Sequence, residues 1–185
     1  SWIDNVVDHE HYPDHDYYVQ IGSIMNILKF NPNHHEQLFP YLKINDKPSD
    51  LTVDDNLNIG IIWEANRDSS AHDDNSINSE LFERIFKEHE NVICLDKEIN
   101  KDNKPDFVNK VAEYSDLLEL AQLIRQLDVV LTVDHTIVHL AGALDINTIL
   151  MLPCIPNWRW NMNHRNTLPW YKSLKIYRQQ LPGDW

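Results

Sequence analysis

The sequence predicts an α/β chain built on a largely parallel sheet with helices on its faces. Short apolar runs rich in β-branched residues recur at Leu57–Trp63, Asn91–Leu95, Val129–Val133, Thr148–Leu152 and Leu174–Tyr177. Each is of strand length and bounded by polar or turn-forming residues. Between several of them lie segments whose apolar residues repeat at helical spacing. Strands and helices that alternate in this way give parallel pairing, because a crossover returns the chain to the starting end of the sheet.

The elements follow in order. Residues 1–16 are polar and rich in His and Asp, and a short helix is expected around Ser23–Phe30. Residues 31–58 carry Pro32, Pro40 and Pro48 among Asn and Asp, the composition of a connector with little regular structure. This divides the chain into an N-terminal segment and connector, 1–56, and an α/β domain, 57–185. After the strand at Leu57–Trp63 comes a long polar loop, Glu64–Asn78. Ser79–His89 places Leu81, Phe82, Ile85 and Phe86 on one helical face. Lys97–Asp106 reads as a loop and Val108–Tyr114 as a strand end. Asp116–Leu127 is the clearest helix: Leu117, Leu120, Ala121, Ile124 and Leu127 share a face, and Ser115 stands where a cap is needed. Strand 129–133 feeds a helix over 136–144 that contains Ala141, Gly142 and Ala143. Pro153 and Pro156 end the strand Thr148–Leu152, and Trp158–Asn163 reads as a short helix before the last strand.

At 185 residues, with 42% hydrophobic and 10% aromatic residues, the chain can bury a core of useful size. Its net charge of −13 argues against nucleic acid and anionic membranes as partners. A phosphorylated small ligand is compatible with it, since a helix terminus and one or two Arg hold phosphate locally. Cys94 and Cys154 sit in or just after apolar runs and read as buried free thiols, not as a disulfide scaffold. No window approaches the ~18 apolar residues that span a bilayer, and no signal peptide is visible, so a cytoplasmic protein is expected. The start at Ser1-Trp2-Ile3, without Met, suggests a fragment or a processed chain.

The stretch Asp128–Leu144 carries the most chemistry. A buried strand breaks at Asp134-His135-Thr136 and a helix begins. A helix N-terminus offers unpaired N–H groups and the positive end of a dipole, a seat for phosphate. Thr136 and its neighbours present amides, Asp134 accepts from a sugar or ribose hydroxyl, and His139 lies one turn in. A plain cap at Asp134 and a core histidine at 139 fit the spacing equally well. Asn66 and Arg67 project from the loop after the first strand, where Arg67 suits a bidentate phosphate contact or an ordinary surface loop.

Other features are weaker. His9, His11 and His15, with Asp8, Asp14 and Asp16, are metal-ligand types without metal-ligand spacing, as is His34-His35. Asp73-Asp74 reads as solvated charge. Trp158, Trp160, Trp170 and Trp185 serve either a packed C-terminal core or a stacking platform. Four glycines and no Gly-rich fingerprint exclude the Gly-rich phosphate loops.

The ordered set Val133–Ala143, Leu152-Pro153, Asn157-Trp-Arg-Trp160, Pro169-Trp-Tyr171, Arg178-Gln179 and Pro182-Gly-Asp-Trp185 resembles the C-terminal half of the glycosyltransferases related to the heptosyltransferases (family 9). In bacteria these often follow tetratricopeptide repeats. Ile59–Asn66 resembles their first donor-side strand, and the similarity extends over about residues 13–185. The resemblance implies half of a GT-B fold: a Rossmann-like domain binding a nucleotide-diphosphate sugar as donor substrate. It implies no cofactor and no catalytic metal. The acceptor is left unknown and the catalytic base belongs to an upstream domain, so a chain of this extent alone is expected not to turn over. Carried over, Asn66, Asp134, Thr136 and His139 fall on donor-side motifs, and Trp158 and Arg159 on the Trp-Arg-Trp element; His135 stands where Thr is usual. Val138 replaces an Ala, Ala65 a Gly, Arg67 a Pro, and Asp145-Ile-Asn147 a Gly-x-Pro. Asp73–Ser76 stands where basic residues are common, which weakens diphosphate binding by about 1–3 kcal/mol per lost charged hydrogen bond. The alternative reading is a degenerate, non-catalytic domain serving as an interaction module.

Overall fold

The computed structural model describes residues 14–29, 40–45, 57–65, 75–89, 91–99, 101–160, 168 and 170–185. The chain forms two compact units, Ser1–His35 and Glu36–Trp185. In the first, helix α1 spans Ile21–Ile27, with Gln20 at its N-cap and Lys29 in the left-handed region just beyond its end.

The second unit is an all-parallel, six-stranded α/β sheet of Rossmann-like form. Its strands are β1 (Ile59–Ile62), β2 (Val92–Cys94), β3 (Lys110–Val111), β4 (Val129–Thr132), β5 (Thr148–Leu152) and β6 (Leu174–Arg178). They lie in the order β3-β2-β1-β4-β5-β6, and every pairing is parallel. Among the described residues the helices of this unit are α2 (Glu80–Phe86), α3 (Leu117–Ile124) and α4 (Thr136–Ala143), with 3-10 turns at Lys101–Asn103 and Trp158–Trp160.

Position in the sheet explains the composition of each strand. β1 and β2 are buried at every residue, as strands covered on both faces must be. β6 is an edge strand and alternates, with Leu174 and Ile176 buried and Lys175 and Tyr177 exposed. Gly60 is there for space: a Cβ would lie 2.6 Å from Leu127 Cδ1 and 2.9 Å from Leu95 Cδ1.

The helix faces are narrower than the periodicity implied. In α2 only Phe82 and Phe86 are buried, packed with Phe107, while Leu81 and Ile85 face water. In α3 Leu120, Ala121 and Ile124 are buried and Leu117 is exposed. A short helix on a broad sheet buries about one residue per turn on each row, so flanking apolar residues stay outside. The cap also differs. Asp116, not Ser115, is the N-cap of α3: its carboxylate accepts the Glu119 N–H at 2.9 Å. Ser115 donates through both N–H and hydroxyl to the Glu119 carboxylate, the reciprocal half of a capping box displaced by one residue. The segment expected as a helix from Trp158 is a single 3-10 turn, ending at Trp160 within the described residues.

Helix α4 ends in a Schellman motif. Ile146 N–H donates to the Ala141 carbonyl and Asp145 N–H to that of Gly142, with Asp145 at φ 60°. This is the position where the resembled family carries Gly. A left-handed residue with a Cβ is strained, so Asp145→Gly is expected to stabilise the fold by about 0.5–1 kcal/mol, read from the urea midpoint at unchanged m value.

Candidate functional site

The order 3-2-1-4-5-6 has one reversal, between β1 and β4. From β1 the chain winds toward β2; from β4 it winds toward β5. The loops leaving β1 and β4 therefore diverge and open a crevice at the carboxyl ends of the strands. Val133 N–H donates to the Ile62 carbonyl, so the two loops start side by side. The β1 loop runs through Trp63 and Ala65, both buried, and Ser76 Oγ accepts the Ala65 N–H at 3.0 Å.

The β4 loop carries Asp134 and His135 into α4. His135 is the N-cap: its Nδ1 accepts the Ile137 N–H at 3.3 Å. Val138 N–H reaches the His135 carbonyl at 3.1 Å. Asp134 is not a cap. Its carboxylate, 11% exposed, faces the Arg159 guanidinium at 3.4 and 3.5 Å. Thr136, the first residue of the helix, is exposed. Its end of α4 is thus open to solvent, with one of its amides already held by the His135 ring.

Arg159 comes from the turn Trp158–Trp160. Asn157 caps that turn, its Oδ1 accepting the Arg159 N–H at 3.3 Å, and Arg178 donates to the Trp160 carbonyl. Trp160 is fully buried and stacks on His139 with ring centroids 5.0 Å apart and planes 12° from parallel. On another side of His139 lies the Tyr171 hydroxyl, hydrogen-bonded to Nδ1 at 2.8 Å. Tyr171 itself meets Tyr41, ring to ring at 6.4 Å. Gly142 lets the Tyr171 ring lie against α4, since a Cβ there would fall 2.5 Å from Tyr171 Cδ1.

Of the sequence-derived site residues, the structure therefore joins Asp134, His135, Thr136, His139 and Arg159 around one helix end. Trp158 is 81% exposed, while Trp160 is fully buried and takes the packed role. Asn66 and Arg67 lie outside the described residues, as do Asp73, Asp74, His9, His11, His34 and His35. Among the described residues no three His, Cys, Asp or Glu groups converge as a metal site. Also among them, no helix is long and apolar enough to cross a membrane. Sequence reasoning missed Tyr171, Tyr41 and Asp96. Asp96 follows β2 as Asp134 follows β4, and its charge reaches His135.

The chain is structurally similar to heptosyltransferases. It matches E. coli heptosyltransferase WaaC with ADP at 16% identity and a TM-score of 0.45. It matches E. coli ADP-heptose lps heptosyltransferase II at 15% identity and a TM-score of 0.49. Each match covers 70% of this chain and 40% of the other, so the chain spans about 40% of the length of those proteins. No protein-family model matches the chain, and no curated protein matches it. The fold assignment rests on the strand order of this chain itself.

The histidines of the site are tuned toward the neutral form. Burial lowers the His139 pKa, and the Arg159 charge lowers it further against the opposing pull of Asp134. Burial lowers His135 as well. Tyr171 is held protonated above the ordinary phenol range by burial and by its hydrogen bond with Tyr41. A His whose folded pKa lies below its unfolded value, about 6.5, lends stability that is complete above that value and is lost as pH falls toward the folded one. Thermal midpoints are thus expected to drop as pH falls from about 7.5 to about 5.5, with a shallower drop in His139→Gln. Gly142→Ala, which drives a methyl into the Tyr171 ring, is expected to cost about 1–3 kcal/mol in urea unfolding.

Proposed function

We propose that residues 57–185 form the donor-binding half of a GT-B glycosyltransferase, with 1–56 leading in from a preceding acceptor domain. The observation that carries this is the open end of α4 beside the β1–β4 reversal, flanked by an arginine in a loose ion pair. Thr136 offers its amide and hydroxyl to the diphosphate, at the end of a dipole worth about half a charge. Arg159 leaves Asp134 for the phosphate. The pair is long, at 3.4 Å, and the Arg159 side chain is 42% exposed, so an incoming oxygen can reach the guanidinium, while Asp134, 11% exposed, needs a new partner when Arg159 leaves. Asp134, released, accepts from a ribose or sugar hydroxyl. Neutral His139 fixes the helix against Trp160 and Tyr171, so the amides stay aimed. Asn66 and Arg67 are assigned as donor contacts on their sequence position after β1, and the exposed Trp158 ring is available to stack on the donor. Such fixed donors stabilise the diphosphate as it leaves, when its charge grows. The acceptor and the base come from the other half.

A second reading has one observation behind it. The Ile137 amide is taken by His135, and Asp134 and Asp96 bring two carboxylates to the seat. An anion meets repulsion there unless Arg159 moves. On this reading the domain is a non-catalytic interaction module.

Calorimetry with ADP, UDP and GDP separates the two. One of them is expected to bind at micromolar to millimolar Kd, with Arg159→Ala weakening it about 10–100-fold, the worth of one charged hydrogen bond. No heat from any of the three on folded protein leaves only the second reading.

A further inference from the structure

Residues 40–45 read in the sequence as connector, yet they are fastened to α3 and α4. Leu42 N–H donates to the carbonyl of Ala143, the last residue of α4, at 3.2 Å. Gln122 Nε2, on α3, donates to the Asn45 carbonyl at 3.4 Å, and Ile44 packs against the main core. This strap delivers Tyr41 to Tyr171, ring on ring at 6.4 Å with planes 21° apart.

Tyr171 stands between two partners. Its hydroxyl is hydrogen-bonded to His139 Nδ1 at 2.8 Å on one side and to Tyr41 on the other. A phenol has one proton to give. If the proton goes to Tyr41, the Tyr171 oxygen is left to accept, and Nδ1 carries a hydrogen. If it goes to Nδ1, that nitrogen is bare and the neutral imidazole carries its proton on Nε2. The partner of one ring nitrogen thus decides which of the two is protonated.

Three observations favour a proton on Nδ1. His139 Nε2 has no hydrogen-bond acceptor among the described residues, so a proton there has only solvent to meet. Tyr41 is 52% exposed, so it gives its own proton to water and keeps its oxygen free to accept. The Tyr41 hydrogen bond also favours the protonated form of Tyr171, as a bond does when the group is its donor. The charges facing the His139 ring are Arg159, from the turn after β5, and Asp134, from the loop after β4; Trp160 stacks on its plane. Arg159 and Asp134 are bonded to each other and not to the ring.

We propose that Tyr41 is a positioning residue for the exposed end of α4: by accepting the Tyr171 proton it fixes His139 as the Nδ1–H tautomer and holds that ring against Trp160. Its part in function rests on the donor reading above. The tautomer does not.

The imidazoles of the full chain, with isotopically labelled histidine, are read by long-range proton–nitrogen correlation at about pH 8, where a histidine of lowered pKa is neutral. His139→Gln assigns the signals by their loss. Wild type is expected to show a protonated Nδ1 and a bare Nε2. Tyr41→Phe keeps the ring contact and removes the acceptor. The Tyr171 proton then turns to Nδ1, and the histidine proton moves to Nε2. A role in packing alone predicts no such move, since Phe stacks as Tyr does. A bare Nδ1 in the wild type, or an Nδ1–H that survives Tyr41→Phe, overturns the proposal. Where Tyr41→Phe fails to fold, the wild-type spectrum decides. The functional arm is calorimetry with whichever of ADP, UDP and GDP the wild type binds. Its Kd is expected to rise about 3- to 30-fold in Tyr41→Phe, the range for a change passed through a network of contacts. A moved proton with an unchanged Kd overturns the positioning role. The spectrum is recorded without nucleotide, so if the wild type binds none, the donor reading fails and the tautomer is still decided.

Discussion

Asn58 and Asp128 clasp the two central strands where they enter the sheet. Asn58 N–H donates to the Asp128 carboxylate at 2.8 Å, and Asp128 N–H donates to the Asn58 carbonyl at 2.9 Å. The pair sets the register of β1 against β4, Ile59 opposite Val129 through Ile62 opposite Thr132. A slip of one residue would turn every side chain of β4 to the wrong face. It would also move Asp134 away from the end of β1. The crevice, the exposed start of α4 and the meeting of the loops after β1 and β4 all inherit their geometry from that single fixed edge.

At the β5–β6 end of the sheet two aromatic rings, Trp160 and Tyr171, pack among aliphatic side chains. Val138, Leu150, Leu152, Trp160, Leu168, Tyr171, Leu174 and Ile176 form a second core beside the main one. His139 is gripped between Trp160 and Tyr171, which come from different parts of the β5–β6 connection. That explains why the Trp-Arg-Trp and Pro-Trp-Tyr pieces occur together with the α4 motif. One holds Arg159 at the helix end, and the other bolts the helix through Gly142. They are supports for the same element. A local shift in either is felt at the amides of α4, because close-packed rings have no slack to absorb it.

The strands were legible because apolar runs of strand length between polar breaks admit few other meanings. The parallel order followed from their alternation with helices. Caps were legible only to within a residue: Ser115 and Asp116 are both good cap types, and which one takes the helical amide is decided by backbone angles that composition does not encode. At the site, Asp134 and Thr136 announced themselves by standing at a strand-to-helix break. Trp158 and Trp160 could not be told apart, since a three-residue turn shows no periodicity, yet one is 81% exposed and the other fully buried. Tyr171 lies 32 residues from His139, and Tyr41 farther still, so their meeting is purely tertiary. Asp96 was within reach of reasoning: it ends a parallel strand one place from β1, as Asp134 does on the other side.

On the proposed reading an acidic chain seats an anion, and the electrostatic balance that decides it is local. At physiological ionic strength exposed charges are screened beyond about 8 Å, so a net charge of −13 spread over 185 residues matters less than the few groups at the helix end. There the balance is close. Asp134 opposes a diphosphate, while Arg159, the α4 dipole and Thr136 favour it. With Asp134 paired to Arg159, Asp96 is the carboxylate left to oppose a phosphate, and the guanidinium is held without its full bonding geometry. A phosphate that takes over the guanidinium gains the two-pronged contact that Asp134, at 3.4 and 3.5 Å, does not complete. On the proposed reading the carboxylate is a placeholder: it keeps the cation at the crevice in the empty state and yields it to a ligand with better-matched oxygens.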